Sequence, residues 1–87
     1  MRISIFGSGY VGLVQAAVFA DVGHRVICVD IDAERVERLI RGEVPFFEPG
    51  LSEMVIRGVE SGLLTFTTNT KTAVESSEFL FICVGTV

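Results

Sequence analysis

An α/β fold built on a parallel, doubly wound sheet follows from three features of this sequence. Strand-like and helix-like segments alternate along the chain. A glycine-rich turn, Gly7-Ser8-Gly9-Tyr10-Val11-Gly12, joins the first apolar strand run to the first helical run. An acidic residue, Asp30, closes the next strand run, eighteen positions after Gly12. The alternation implies parallel strands joined by right-handed crossovers. Glycines in a strand–turn–helix context, with an acid about 20 residues on, make the dinucleotide-binding fingerprint of a Rossmann-type sheet.

The first strand is predicted over Arg2 to Phe6 and the first helix from about Tyr10 to Asp21, stopped by Gly23. Val11, Val14, Val18 and Val22 recur at helical spacing in that helix, and Ala16, Ala17 and Phe19 make it apolar nearly all round. Such a helix is expected to be covered on more than one side, by a second domain or subunit in the full enzyme. The second strand runs from Arg25 to Asp30. Asp32 is placed to cap a helix over Ala33 to Arg41, whose stripe is Val36, Leu39 and Ile40 and whose stop is Gly42.

Glu43 to Gly50 is a loop with two prolines and two phenylalanines. Pro45 and Pro49 restrict themselves and the residues before them. Phe46 and Phe47 are expected to pack the loop on the domain, and Glu48 to cap the helix that follows. Leu51, Met54, Val55 and Val59 mark that helix, ending near Gly62. Leu64-Thr65-Phe66-Thr67 alternates as a third strand. Thr70 is expected to cap a short helix over Lys71 to Glu75. The run from Phe79 to Val84 reads as a fourth strand, apolar on both faces and therefore central. The usual order, 3-2-1-4, sets it beside the first strand, with helices on both faces of the sheet and Gly85-Thr86-Val87 at the crevice. Taken alone, this chain leaves that strand one unpaired apolar edge, a feature that recruits other chains.

Eighty-seven residues hold one small domain. They supply about four of the roughly six strands in a complete dinucleotide domain. The expectation is that residues 1–87 form the amino-terminal part of such a domain in a longer enzyme, with the rest of the domain and a substrate domain absent. A net charge of −4 and the lack of a basic cluster argue against nucleic acid as a partner. Arg35, Arg38 and Arg41 alternate with Glu34 and Glu37, the pattern of a solvated helix face. The early glycines break an apolar stretch that otherwise imitates a signal peptide. No run reaches the ~18 apolar residues of a membrane span, so no membrane partner and a cytoplasmic location are expected. Cys28 and Cys83 are the two cysteines. They are too few and too far apart for a metal site and are expected to be buried small hydrophobes.

Within the fingerprint, Gly7 turns the chain off the strand, Gly9 lets a pyrophosphate approach the main chain, and Gly12 lets the helix pack closely. The helix start offers free N–H groups and partial positive charge to phosphate. Asp30 is the expected partner of the ribose hydroxyls of NAD, and its charge disfavours the extra phosphate of NADP. Arg35 has two readings: it reaches the adenosine end of the cofactor, or it pairs with Glu34 or Glu37 on the helix surface. Tyr10 is expected to offer its backbone to the site, and His24 to lie on the surface. No acid–base pair or activated nucleophile stands out, so no catalytic residue is assigned and the isolated chain is expected to be inactive. An apolar strand gives neither cysteine the nearby cation that a reactive thiol needs.

Four blocks carry a family resemblance: Ile5 to Val14, Val29-Asp30-Ile31-Asp32, Pro45 to Leu51, and Phe81 to Thr86. The chain resembles the amino-terminal end of the UDP-glucose/GDP-mannose dehydrogenase family. The first two blocks are shared broadly among NAD dehydrogenases. Glu48-Pro49-Gly50-Leu51 is much more specific to those acting on nucleotide sugars. The resemblance implies oxidation of a sugar C6 hydroxyl to a carboxylate, with two successive hydride transfers to NAD, in polysaccharide biosynthesis. UDP-glucose would become UDP-glucuronate, GDP-mannose being the alternative substrate. A homo-oligomer is expected of the full-length enzyme. It also implies pyrophosphate contacts from the backbone of Tyr10 and Val11, ribose contacts from Asp30, an adenosine contact from Arg35 and a place beside the cofactor for Thr86. The family's catalytic cysteine and lysine would lie beyond Val87, which itself stands where a proline usually follows the threonine. A dinucleotide-binding module without chemistry remains the reading from another class.

Overall fold

β-Branched and aromatic runs give four strands: β1 (Arg2–Phe6), β2 (Arg25–Val29), β3 (Leu64–Thr67) and β4 (Phe79–Ile82). Between them lie α1 (Tyr10–Asp21), α2 (Ala33–Ile40), α3 (Leu51–Ser61) and α4 (Thr70–Ser76). The computed structural model describes residues 1–83. Thr86, Val87 and the end of the fourth predicted strand at Val84 lie outside the described residues. The strands are all parallel and ordered β3-β2-β1-β4, as predicted.

Period-two alternation decides what each face of the sheet carries. Register aligns Ile3 with Val26 and Leu64 in turn, and Ile5 with Cys28 and Phe66. These six side chains are buried and join Leu13, Ala16, Ala17 and Ala20 of α1, Val36 and Leu39 of α2, and Leu51 and Val55 of α3 in one core. The alternate residues, Ser4, Ile27 and Thr65, point to the face crossed by α4. There the buried Ser4 hydroxyl donates to the Ala73 carbonyl at 3.1 Å and meets the Ser77 hydroxyl. A buried hydroxyl is tolerated because it is hydrogen-bonded.

Several local expectations need correction. Asn69, not Thr70, caps α4: its side-chain oxygen accepts from the Thr72 N–H at 3.1 Å. A cap acts from just outside the helix, so the helix starts one residue earlier than expected. Glu48 caps nothing, because α3 begins from Gly50 in a left-handed conformation and the Glu48 side chain turns to Tyr10. Phe46 packs against the core, but Phe47 is fully exposed. As the order 3-2-1-4 of this chain alone implies, β4 is an edge strand among the described residues, and Phe79, Leu80, Phe81 and Ile82 are all exposed. Phe19 packs on the Phe81 ring at 5.7 Å; among the described residues no strand lies on the far side of β4. Among the described residues α1 is covered on one side, with Val11, Val18 and Val22 exposed; the further cover expected of it belongs to a second domain or subunit. Cys28 is buried as expected, whereas Cys83, past the end of β4, is half-buried.

Candidate nucleotide-binding cleft

Parallel strands bring their carboxyl ends to one edge of the sheet, where ligands of such folds bind. The turn after β1 and the turn after β2 therefore meet. Gly7 leaves β1 with φ of 106°, a left-handed conformation that favours glycine. Its N–H is tied to the Val29 carbonyl at 2.7 Å. A Cβ on Gly12 would lie 2.1 Å from the Gly7 carbonyl oxygen and 3.2 Å from the Cys83 Cβ. The close approach is thus to the backbone of the turn itself.

Gly9 is the N-cap of α1 and contributes no capping side chain. A Cβ there would meet nothing within 4 Å, so the turn opens onto free space. The helical ladder starts with the Leu13 N–H on the Gly9 carbonyl at 2.9 Å. The N–H groups of Tyr10, Val11 and Gly12 precede it and have no helical acceptor. No acidic residue sits in this first turn to compete for them. Donors without a helical acceptor at a positive helix end suit an anionic phosphate.

Asp30 lies immediately past β2, its N–H on the Thr67 carbonyl at 3.1 Å. Its Oδ2 accepts from the Ser8 N–H at 3.0 Å and from the Ser8 hydroxyl at 2.5 Å. Its Oδ1 accepts from the Asp32 N–H at 2.9 Å. Partial burial pushes the Asp30 carboxyl up, but the Ser8 hydroxyl, the Asp32 and Ser8 N–H groups and the Arg35 charge outweigh it. The group is held below its ordinary value of 3.8 and is a fixed anion at neutral pH. Asp32 caps α2 as predicted, accepting from the Glu34 and Arg35 N–H groups.

A cleft of about 340 Å³ joins these parts, with Gly7, Ser8, Gly9, Asp30, Arg35 and Thr70 among its walls. Arg35 is half-buried and makes no ion pair among the described residues. Glu34, its sequence-predicted surface partner, pairs with Arg38 instead at 2.7 Å. Ser8 and Thr70 were not legible as site residues. Ser8 occupies the variable position between the first two glycines, and Thr70 reaches the cleft only because β3 lies beside β2. An anion-binding helix end, an open glycine and a fixed carboxylate across one cleft fit a phosphorylated ribose carrier such as NAD.

Tyr10 and Val11 expose their side chains and leave their backbone at the helix end. The Tyr10 hydroxyl donates to Glu48 Oε1 at 3.0 Å, and its ring meets Phe46 edge-on at 5.6 Å. The Glu48 carboxylate holds the Tyr10 phenol above its ordinary value of 10.0. The proline-rich loop is therefore fastened to the first turn of α1. His24 lies against the Phe19 ring. Burial, helped by the Asp30 charge, pushes the Cys28 thiol up to about 12, so it is no nucleophile. Among the described residues no cluster of three metal-ligating side chains occurs, and no helix is long and apolar enough to cross a membrane.

The NAD binding domain model of the UDP-glucose/GDP-mannose dehydrogenase family matches residues 1–87. The chain is 51% identical over 86 residues to a UDP-glucose 6-dehydrogenase of Rhizobium meliloti, covering 99% of this chain and 20% of that protein. It is 48% identical over 86 residues to a GDP-mannose 6-dehydrogenase of Azotobacter vinelandii, covering 99% of this chain and 20% of that protein. Among solved structures, a ternary complex of GDP-mannose dehydrogenase from Pseudomonas aeruginosa superposes with a TM-score of 0.96 at 46% identity, covering all of this chain and 20% of that one. The chain thus spans about a fifth of the length of the relatives it matches.

Proposed function

We propose that this chain, which belongs to the UDP-glucose/GDP-mannose dehydrogenase family and is an NAD-binding domain of it, serves an enzyme that oxidises UDP-glucose at C6 to UDP-glucuronate. Residues 1–87 are its amino-terminal cofactor-binding part, and the groups that carry the chemistry belong to the remainder. The observation that carries the reading is the cleft. The turn residues Gly7, Ser8 and Gly9, which lead into the start of α1, line one opening with the pinned Asp30 carboxylate and with Arg35, which makes no ion pair among the described residues.

In this reading Gly9 leaves room for the pyrophosphate, and the start of α1 neutralises its charge. Asp30 accepts from ribose hydroxyls, and Arg35 lies along the adenosine end. Thr86 belongs beside the cofactor, on the resemblance of its block to the family. NAD, when bound, supplies the hydride acceptor. The bare apolar surfaces of α1 and β4 are the faces on which the rest of the enzyme packs. A nucleotide sugar is its second ligand, and the soluble, homo-oligomeric enzyme works in the cytoplasm in polysaccharide synthesis.

GDP-mannose is the second reading, since relatives of the two names match this chain at 51% and 48% identity. The test is NADH formation by the full-length enzyme with each sugar nucleotide. Two NADH per UDP-glucose is the expected result. Two per GDP-mannose selects the second reading, and none from either refutes both. Turnover by residues 1–87 alone would refute placing the chemistry elsewhere.

A further inference from the structure

Ser8 stands at the one position of the Gly7–Gly9 turn where the fingerprint specifies no residue type, yet it is 1% exposed and both of its donors are spent on one carboxylate oxygen. A carboxylate offers about four acceptor positions. In Asp30 three are taken: two on Oδ2 by Ser8 and one on Oδ1 by the Asp32 N–H. The acceptor capacity left over lies on Oδ1. The carboxylate is held from both sides, by the turn after β1 and by the turn after its own strand, so it cannot change rotamer without losing hydrogen bonds.

We propose that Ser8 is a positioning and specificity-determining residue of the cofactor cleft: its hydroxyl pins Asp30 so that Oδ1 meets the ribose diol of NAD and the negative charge stays where the 2′-phosphate of NADP would sit. The inference deepens the proposed function and rests on it. Arg35 lines the same cleft and, left to itself, attracts a 2′-phosphate. Discrimination therefore depends on Asp30 being unable to swing aside. The Ser8 and Asp32 N–H groups hold one oxygen each, and the Ser8 hydroxyl adds a third bond, at 2.5 Å on Oδ2, that the backbone does not supply.

The test is calorimetric titration of NAD and NADP into the full-length enzyme and its Ser8→Ala, Asp30→Asn and doubly substituted forms. Hydrogen bonds to charged groups set the scale. Ser8→Ala weakens NAD by about tenfold and narrows the preference for NAD over NADP. In the Asp30→Asn background it costs NAD nothing further, because Ser8 acts through Asp30. Unchanged affinity and preference in Ser8→Ala overturn the proposal. So does the same loss in both backgrounds, or a lowered melting temperature with coenzyme preference intact, which marks a merely structural hydroxyl. Failure of the unaltered enzyme to bind either dinucleotide overturns the functional reading and this one with it.

Discussion

Two glycines of the fingerprint, only three residues apart, are predicted to fail in opposite ways when a methyl group is added. In Gly12→Ala the new Cβ lies 2.1 Å from the Gly7 carbonyl oxygen, where real Cβ atoms do not come within 3.0 Å. The obstacle is backbone, and the Gly7 N–H is itself anchored to Val29, so nothing flexible can move away. Overpacking of this kind costs about 3 kcal/mol at the upper end of its usual range. Replacing glycine by alanine inside a helix returns about 1 kcal/mol. The net loss of about 2 kcal/mol lowers the melting temperature by roughly 8–16 °C for a domain of this size. In Gly9→Ala the Cβ meets nothing within 4 Å, and φ of −67° with ψ of −176° suits any residue. Its stability should change by no more than about 1 kcal/mol, while NAD affinity falls by about tenfold or more because the methyl enters the space a phosphate needs. Thermal denaturation and calorimetric titration of both variants make the comparison. A Gly12→Ala form that melts at or above the parent, or a Gly9→Ala form that loses as much stability, refutes the reasoning.

Four further outcomes are expected. Tyr10 is the single tyrosine and there is no tryptophan, so alkaline absorbance titration reads its phenol directly; Glu48→Gln should bring the raised value back towards 10.0. Because the folded Asp30 carboxyl lies below its ordinary 3.8, it contributes stability above that pH, and the contribution is lost as pH falls through the folded value. The stability gap between the parent and Asp30→Asn should accordingly close below about pH 4, as followed by denaturant unfolding. A thiol-specific reagent should label half-buried Cys83 in the native chain and buried Cys28 only on unfolding, as resolved by peptide mass mapping. Residues 1–87 alone should self-associate through β4, and a concentration-independent monomer in sedimentation would count against this.

Much of the architecture was legible because it rests on local rules. Asp32 caps α2 and Gly62 ends α3 where the pattern placed them, since capping is a matter of a few neighbouring residues. The misreadings at Glu48 and Thr70 share a cause. Each side chain had a plausible local partner, and a competitor won: Tyr10 across the loop for Glu48, and Asn69 one residue earlier for the cap of α4. The composition of β4 suits a central strand of a larger sheet, but burial belongs to a strand's neighbours, and among the described residues β1 alone lies beside it.

The sequence by itself determined the order of elements, the parallel sheet and the glycine–acid pair that announces a dinucleotide. These follow from periodicity, turn chemistry and a spacing that any chain of this pattern must satisfy. Only the tertiary structure decided how the site is held. Ser8 meets Asp30 across 22 positions and Tyr10 meets Glu48 across 38. Such contacts depend on which strand ends and loops the packed sheet brings together, and no rule confined to neighbouring residues can state them.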